Sequence, residues 1–338
     1  MLKVGILGAS GYTGAELLRL CAQHPEFEVV YATGDSQAGT LAASLYPSLA
    51  AAYPNLVFED FDPARADGLD VVFLGLPHEA SMEMVPLLRG RVRCIVDLSA
   101  AFRLKDPSLY PRWYGFTHDR PELLASAVYG LPELHRSELA GAELIATPGC
   151  YVTAATLALA PLIRQEFIAP TGIVVDAASG VSGAGRALKH SSHFSTVDED
   201  FTAYGLVDHR HTPEIEQNID GQVIFTPHLA PMNRGILATC YARPTGSVTT
   251  ESLLAALARS YDREPFVVVR PASPSTKATL GTNSVHLTAR FDQRTGWVMV
   301  IAAIDNLCKG ASGGAVQAAN VALGLPETSG LQSVGVYP

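Results

Sequence analysis

The sequence has little charge and no excess of basic residues. Asp, Glu, Lys and Arg make up 17% of the 338 residues, with 33 acidic side chains against 24 basic ones. Because no basic stripe is available to release counterions from phosphates, we exclude nucleic acid as a partner. No apolar run approaches the roughly 20 residues that span a bilayer. We therefore expect a cytoplasmic protein with no membrane partner.

Cysteine is also scarce. The five cysteines, at positions 21, 94, 150, 240 and 308, form no CxxC pair and no zinc-ligand spacing. This argues against a disulfide framework, and we expect no metal. Each thiol is expected to be a small buried hydrophobe unless its context says otherwise. Hydrophobic residues are plentiful at 48%, which is enough for two cores in a chain of this length.

Strands and helices alternate along the first half of the chain. Apolar strands are predicted at 2–7 and 27–33, with an amphipathic helix over 13–24 between them. Further strands at 70–77 and 92–99 flank a helix over 79–88. This alternation predicts an α/β fold with a Rossmann-type doubly wound parallel sheet. Beyond a helix over 151–165 strands predominate, which indicates a second, α+β domain with a mixed or antiparallel sheet.

A glycine turn joins the first strand to the first helix. Gly8, Gly11 and Gly14 have the spacing GxxGxxG in "GASGYTG". Backbone N–H groups at such a helix start can face a pyrophosphate, so the turn predicts dinucleotide binding. After the second strand the chain offers Asp35 and Ser36 but no arginine. An acidic residue suits the ribose of NAD and an arginine the phosphate of NADP, so the residues alone leave the dinucleotide open.

One cysteine stands apart from the other four. Cys150 follows Pro148-Gly149 at the start of a predicted helix, where free N–H groups and the helix dipole stabilise a thiolate. A nucleophilic thiolate needs a proton-handling partner. The polar loop "DHRHTPEI" supplies His211, which we favour, and His209 as the alternative.

Two arginines in loops could hold an anionic substrate. They are Arg103 in "SAAFRL" and Arg186 in "GVSGAGR", and the guanidinium fork suits phosphate and carboxylate groups. Small residues in "SGAG" would also let the backbone approach a ligand closely. A nucleotide fold with a thiolate, a histidine and arginines indicates hydride transfer at a thioester.

At this point the sequence resembles the N-acetyl-gamma-glutamyl-phosphate reductases, the arginine-biosynthesis branch of the semialdehyde dehydrogenase superfamily. The motifs "GASGYTGAELLRL", "VDLSAAFRL", "TPGCYVTA", "GVSGAGR", "HRHTPEI" and "AIDNLCKGASGGAVQ" occur in that family's order over essentially the whole chain. The resemblance implies a glyceraldehyde-phosphate/semialdehyde dehydrogenase-like architecture. Residues 1–148 and 309–338 would form the dinucleotide-binding domain, and 149–308 the catalytic and oligomerisation domain of a homodimer or homotetramer.

The resemblance also implies roles for individual residues. Cys150 would form a thioacyl-enzyme from a small acyl phosphate, N-acetyl-L-glutamyl 5-phosphate, and His211 would be the acid/base. The expected substrate-binding residues are Arg103, Arg186 and His209. The expected contacts of the cofactor, NADPH, are Gly8, Ser10, Gly11, Tyr12, Thr13, Gly14, Ser36, Ser182, Gly183 and Asn306.

Other functions remain open from the sequence. The related reductases of carrier-linked aminoadipyl phosphate, in lysine biosynthesis, share the chemistry, but Tyr151 and "GVSGAGR" favour the free acetylated substrate. Aspartate-semialdehyde dehydrogenases lack the "HRHTPEI" loop. A non-catalytic NADP-binding regulator would bind the nucleotide without turnover. A cysteine hydrolase would need no nucleotide and would leave the glycine turn unexplained.

Overall fold

The computed structural model describes residues 1–338 apart from the side chain of Ser191. It divides into two compact units, each formed by separate stretches of chain. The first unit comprises 1–107, 117–148 and 311–331, and the second comprises 108–116, 149–310 and 332–338. Relative to a division at 148 and 309, residues 309–310 and the short segments 108–116 and 332–338 cluster with the second unit. Backbone hydrogen bonds hold the C-terminal segment there, from Asn283 to Gln332 and from Val336 to Leu280.

Secondary structure covers both units. The strands are β1 (Leu2–Leu7), β2 (Phe27–Ala32), β3 (Val71–Leu74), β4 (Cys94–Asp97), β5 (Val128–Tyr129), β6 (Leu144–Ala146), β7 (Ile173–Gly180), β8 (Thr202–Ala203), β9 (Val223–Ala230), β10 (Ile236–Ala242), β11 (Val267–Val269), β12 (Val285–Asp292) and β13 (Trp297–Ile304). The α-helices are α1 (Tyr12–Cys21), α2 (Ala42–Leu45), α3 (His78–Leu88), α4 (Tyr110–Tyr114), α5 (Pro121–Ser126), α6 (Pro132–Leu139), α7 (Cys150–Arg164), α8 (Phe194–Val197), α9 (Thr212–Ile219), α10 (Thr250–Ser260) and α11 (Gly313–Leu323).

The first unit is built on a parallel sheet. Its strand order is β2-β1-β3-β4-β6-β5, and each pairing is parallel. β3 and β4 are buried along their whole length, as expected when helices cover both faces of a parallel sheet. Leu17 and Leu18 of α1 and Val316 of α11 belong to the same hydrophobic core as these strands. The predicted doubly wound sheet is confirmed.

The second unit contains a mixed sheet. Its strand order is β11-β12-β13-β10-β7-β9-β8; β7 runs parallel to β9 and β11 parallel to β12, while the other pairs are antiparallel. Side chains along β7 and β10 alternate between buried and half-buried. Helices α7 and α10 pack against this sheet, so one face is covered, as predicted for an α+β domain. Among the described helices none is long and apolar enough to cross a membrane.

Candidate active site

Cys150 is the first residue of α7 in the second unit. The helix is held firmly, because residues 151–162 are all buried. Gly149 is its N-cap and provides no side chain to cap the first turn, so the N–H groups there can stabilise an anion. Cys150 is partly exposed, whereas the other four cysteines are buried. Burial raises the pKa of Cys21, Cys94 and Cys240 to about 12, so these three thiols stay protonated at neutral pH.

His211 lies against the residue that precedes the cysteine. A Cβ atom added to Gly149 would come within 2.5 Å of Nε2 of His211, and within 2.8 Å of Cδ2 and Cε1. The imidazole is therefore in contact with the Gly149 backbone, where only glycine leaves room for it. The structure brings His211 next to the start of α7, as the predicted pairing with Cys150 requires. On another side of the cysteine, a Cβ on Gly310 would lie 2.8 Å from Cβ of Cys150.

His209 supports His211 from an aromatic cage. Its ring lies 5.2 Å from Phe225, 5.5 Å from Tyr204, 5.9 Å from Tyr151 and 4.8 Å from His211, measured between ring centroids. Burial in this cage, with a smaller contribution from Arg210, lowers the pKa of His209 to about 4. Its Nδ1 atom accepts a hydrogen bond from the backbone N–H of His211 at 3.1 Å. At neutral pH His209 therefore offers an anionic substrate no positive charge.

Two phenols tie the histidine loop to the sheet. The hydroxyl of Tyr204 donates to that of Tyr151 at 3.1 Å, and the hydroxyl of Tyr151 donates to the carbonyl of His228 at 3.0 Å. Burial raises the pKa of both Tyr151 and Tyr204, so both rings remain neutral. The loop that carries the two histidines is thereby anchored to α7 and β9.

Glu214 is a residue at this site that sequence reasoning missed. It lies in the first turn of α9 and is fully buried. Its Oε1 atom accepts a hydrogen bond from the N–H of Gly149 at 2.9 Å. The available signal was an acidic residue three positions after His211 in "HRHTPEI", which also fits a helix start.

The "SGAG" loop is a single 3₁₀ turn held by Asn306. The Asn306 side chain donates to Oγ of Ser182 at 2.9 Å and accepts from the N–H of Gly235 at 2.7 Å. Gly183 lies on the same turn, with the Ser179 hydroxyl 3.1 Å from the position of an added Cβ. The buried Nε of Arg186 has no hydrogen-bond partner among the described residues. The structure thus brings Ser182, Gly183 and Asn306 together and leaves a donor on Arg186 for a ligand.

The glycine turn of the first unit fits a pyrophosphate. Gly8 has φ +81°, and a Cβ there would lie 2.4 Å from the carbonyl oxygen of Gly75; a Cβ on Gly14 would lie 2.4 Å from Cα of Ala9. These two glycines are required by the close approach of the chain to itself. A Cβ on Gly11 would meet only one atom, at 3.5 Å, and no side chain caps α1. The N-terminus of α1 is therefore open to an anion.

The remaining residues expected at the dinucleotide flank this turn. The Ser10 hydroxyl donates to the carbonyl of Gly34 at 3.0 Å, so it fixes the turn to the end of β2. Tyr12 is exposed and Thr13 half-buried in the first turn of α1, and Ser36 is exposed on a 3₁₀ turn. Directly after β2 the chain has Thr33, whose hydroxyl accepts from the N–H of Gly8, in place of a ribose-binding acid.

Arg103 lies at the carboxyl ends of two parallel strands of the first unit. Its Nε donates to the carbonyl of Thr147, just after β6, at 2.6 Å, and Nη2 donates to that of Leu98, just after β4, at 2.9 Å. The side chain is only 8% exposed. This is the edge at which open α/β sheets bind ligands. Among the described residues no cluster of three or more His, Cys, Asp or Glu could hold a metal ion.

Comparison with known proteins found family models that match each of the two units. Family models for the semialdehyde dehydrogenase NAD binding domain and dimerisation domain match residues 3–142 and 150–306. Proteins named N-acetyl-gamma-glutamyl-phosphate reductase from Citrifermentans bemidjiense and Symbiobacterium thermophilum are 49% and 48% identical; the alignments cover 100% of this chain and 100% and 99% of those proteins.

Solved structures agree on the fold. Aspartate semialdehyde dehydrogenase II from Vibrio cholerae superposes with a TM-score of 0.70 at 16% identity, covering 95% of this chain and 98% of that one. The Candida albicans aspartate semialdehyde dehydrogenase with NADP has a TM-score of 0.69 at 15% identity, with the same coverage. At such low identity the similarity establishes the two-domain architecture alone.

Proposed function

We propose a function for this chain, which belongs to the N-acetyl-gamma-glutamyl-phosphate reductase family of semialdehyde dehydrogenases. It reduces N-acetyl-L-glutamyl 5-phosphate to N-acetyl-L-glutamate 5-semialdehyde and phosphate with NADPH, a step of arginine biosynthesis. The observation that carries the proposal is the accessible Cys150 at a helix start, with His211 packed against the preceding glycine. A thiol and an imidazole in this arrangement suit acyl transfer through a covalent intermediate.

The chain's own side chains would perform the acyl transfer. His211 takes the proton of the Cys150 thiol, and the thiolate attacks the carbonyl carbon of the acyl phosphate. The carbon–oxygen bond to phosphate breaks, phosphate leaves and a thioester remains on the sulfur. His211 then donates its proton to the oxygen that becomes negative when the thioester is reduced, and takes it back as the carbon–sulfur bond breaks, so that the aldehyde is released and the thiolate re-forms. Arg103 and Arg186 would hold the anionic groups of the substrate.

The cofactor would be held by the glycine turn of the first unit. The open N-terminus of α1 at Gly11 suits the pyrophosphate, and Ser36 is an exposed hydroxyl after β2. Bound NADPH supplies the hydride that reduces the thioester. Ser182 lies on the 3₁₀ turn, and the side chain of Asn306 donates a hydrogen bond to its hydroxyl. Both residues would contact the cofactor from there.

Assembly and location complete the proposal. The side chains of β7 and β10 that alternate with the buried ones are half-buried, and Ile224 on β9 is 53% exposed. These side chains belong to the region that matches a dimerisation domain. We propose that they pack against a second copy in a cytoplasmic homodimer or homotetramer, which light scattering would test.

The reverse reaction tests the catalytic proposal. N-acetylglutamate semialdehyde, phosphate and NADP⁺ are mixed with enzyme, and absorbance of the reduced cofactor is followed. Wild type should give phosphate-dependent reduction, and Cys150→Ser should lose at least about a thousandfold in rate. Cys21→Ala, at a buried thiol of the first unit, is the matched control and should stay active. Activity only with aminoadipate semialdehyde, or no activity with any semialdehyde, would refute the proposed substrate or the reaction.

A further inference from the structure

A buried hydrogen-bond network holds the loop that follows β4 in the first unit. We infer that Asp97, the last residue of β4, and Ser99 are positioning residues that set the direction of the Arg103 guanidinium. The inference rests on the proposed function, in which Arg103 holds an anionic group of the substrate. Inorganic phosphate, a substrate of the reverse reaction, is the probe of that role.

The carboxyl group of Asp97 accepts hydrogen bonds from three donors. Its Oδ1 atom accepts from the hydroxyl of Ser81 at 2.9 Å and from the backbone N–H of Ser99 at 3.0 Å, and Oδ2 accepts from the Ser99 hydroxyl at 2.7 Å. Asp97 and Ser81 are fully buried, and Ser99 is 4% exposed. A buried polar group is costly unless it is hydrogen-bonded, so these three donors hold the carboxyl group in one orientation.

Side chains accept three successive backbone N–H groups of the loop. The N–H of Ser99 donates to Asp97. The N–H of Ala100 donates to Nδ1 of His78 at 3.0 Å, and that of Ala101 donates to Oγ of Ser99 at 3.0 Å. The Ser99 hydroxyl therefore joins the carboxyl group of Asp97 to the backbone two residues further along the loop.

Arg103 lies at the end of this loop and closes it. Its Nη2 atom donates to the carbonyl of Leu98, at the start of the loop, at 2.9 Å, and its Nε atom donates to the carbonyl of Thr147 at 2.6 Å. The guanidinium is a planar and rigid fork. Its direction therefore follows from these two carbonyls and from the path of residues 98–103, which Asp97 and Ser99 fix.

Kinetics of the reverse reaction separate positioning from stability. Ser99→Ala removes the hydroxyl that joins Asp97 to the loop. Ser81→Ala, the matched control, removes a similarly buried hydroxyl from the same carboxyl group but leaves the hydrogen bonds of the loop in place. Both variants should lower Tm by roughly 2–4 °C. In Ser99→Ala alone, kcat/KM for inorganic phosphate should fall about tenfold or more, because the guanidinium is displaced.

The kinetics of NADP⁺ provide an internal reference. In the proposed reaction phosphate attacks the thioester only after the substrate has been oxidised. In Ser99→Ala, kcat/KM for NADP⁺ should therefore stay within about twofold of wild type.

Hydrogen exchange tests the loop without any turnover. The backbone N–H groups of residues 98–103 should be protected in wild type and in Ser81→Ala, and they should exchange faster in Ser99→Ala. Asp97→Asn is a second variant and should behave like Ser99→Ala in both assays. Either orientation of its amide loses one of the two contacts with Ser99.

The outcomes distinguish a positioning role from a structural one. Equal losses of kcat/KM for phosphate in Ser81→Ala and Ser99→Ala, or equal losses for phosphate and NADP⁺ in Ser99→Ala, would overturn the inference. Unchanged exchange of residues 98–103 in Ser99→Ala would also overturn it. If the proposed function failed instead, wild type would give no phosphate-dependent reduction and the positioning role would fall with it, although the exchange difference would persist.

Discussion

Adding one methyl group at Gly149 should separate catalysis from folding. In Gly149→Ala the new carbon would lie 2.5 Å from Nε2 of His211, whereas non-bonded carbon contacts settle near about 3.5–4.0 Å. The backbone torsions of Gly149, φ −66° and ψ 148°, suit alanine without strain. The backbone N–H of residue 149, which donates a hydrogen bond to Glu214, is also retained. The imidazole must therefore retreat by about 1 Å while the chain around it keeps its path.

The size of the effect follows from this displacement. A misplacement of about 1 Å at a reacting group can cost on the order of a hundredfold in rate, which corresponds to about 2.7 kcal/mol. The stability cost is smaller, because alanine is a poorer N-cap than glycine by about 1 kcal/mol. That loss would lower Tm by roughly 2–4 °C. Gly149→Ala should thus be folded and nearly inactive.

The assay measures kcat/KM in the reverse direction together with a thermal melt. Gly246→Ala is the control, since a Cβ there meets no atom within 4 Å, and both its activity and its Tm should match wild type. If Gly149→Ala kept more than roughly a third of wild-type kcat/KM, the close packing of His211 on residue 149 would not matter for the reaction. If Gly149→Ala failed to fold, the expectation that this methyl group separates catalysis from folding would be wrong.

Three further predictions concern the other groups of the two units. Burial lowers the pKa of His209 from 6.5 to about 4. Between these two values the unfolded chain binds the proton more readily than the folded one, so the free energy of unfolding decreases as the pH falls. In urea melts, His209→Asn should lose less stability than wild type between about pH 7.5 and 5; an equal loss would contradict this. Iodoacetamide should label Cys150 in the native protein and abolish activity, and peptide mass spectrometry showing inactivation with a buried thiol labelled would refute the mechanism. Gly11→Ala should raise KM for NADP⁺ about tenfold or more, because its methyl enters the space proposed for the pyrophosphate, while Tm falls only by the roughly 2–4 °C that alanine costs at an N-cap. Gly8→Ala should lower Tm further, because φ is positive and the methyl meets backbone; the opposite pattern would refute the assignment.

Local patterns were sufficient to predict the fold class. Alternating strands and helices predicted the parallel sheet, and the helix predicted over 151–165 is α7, which begins and ends one residue earlier. The first helix, predicted over 13–24, ends at Cys21, shortly before Pro25, which disfavours helical backbone in the residue that precedes it. The segments 108–116 and 332–338 were not assigned to the second unit. Their placement depends on hydrogen bonds between distant residues, which leave no periodic signal in the sequence.

The site was predictable where its chemistry depends on neighbours in the chain. Cys150 was identified because a Pro-Gly turn and a helix start flank it directly. Glu214 was missed because its partner, Gly149, is 65 positions away. The charge state of His209 was missed for a related reason: a histidine in a polar loop reads as solvated, but Tyr151 and Phe225 enclose its ring. Burial by residues distant in the sequence sets the pKa of His209, and the composition of the surrounding loop does not indicate that burial.

The starts of α7 and α9 act in opposite directions on the proton that moves from Cys150 to His211. The N-terminus of α7 favours a negative thiolate at Cys150, but His211 is the N-cap of α9, where the same positive helix end disfavours an imidazolium. Transfer of the thiol proton to His211 is therefore helped at its origin and opposed at its destination. Glu214, in the first turn of α9, brings a carboxyl group to this helix end, and its hydrogen bond to Gly149 links it to the turn that presents the thiol. Replacing this group by an amide should for this reason affect proton transfer more than substrate binding, so Glu214→Gln should lower kcat more than it raises KM.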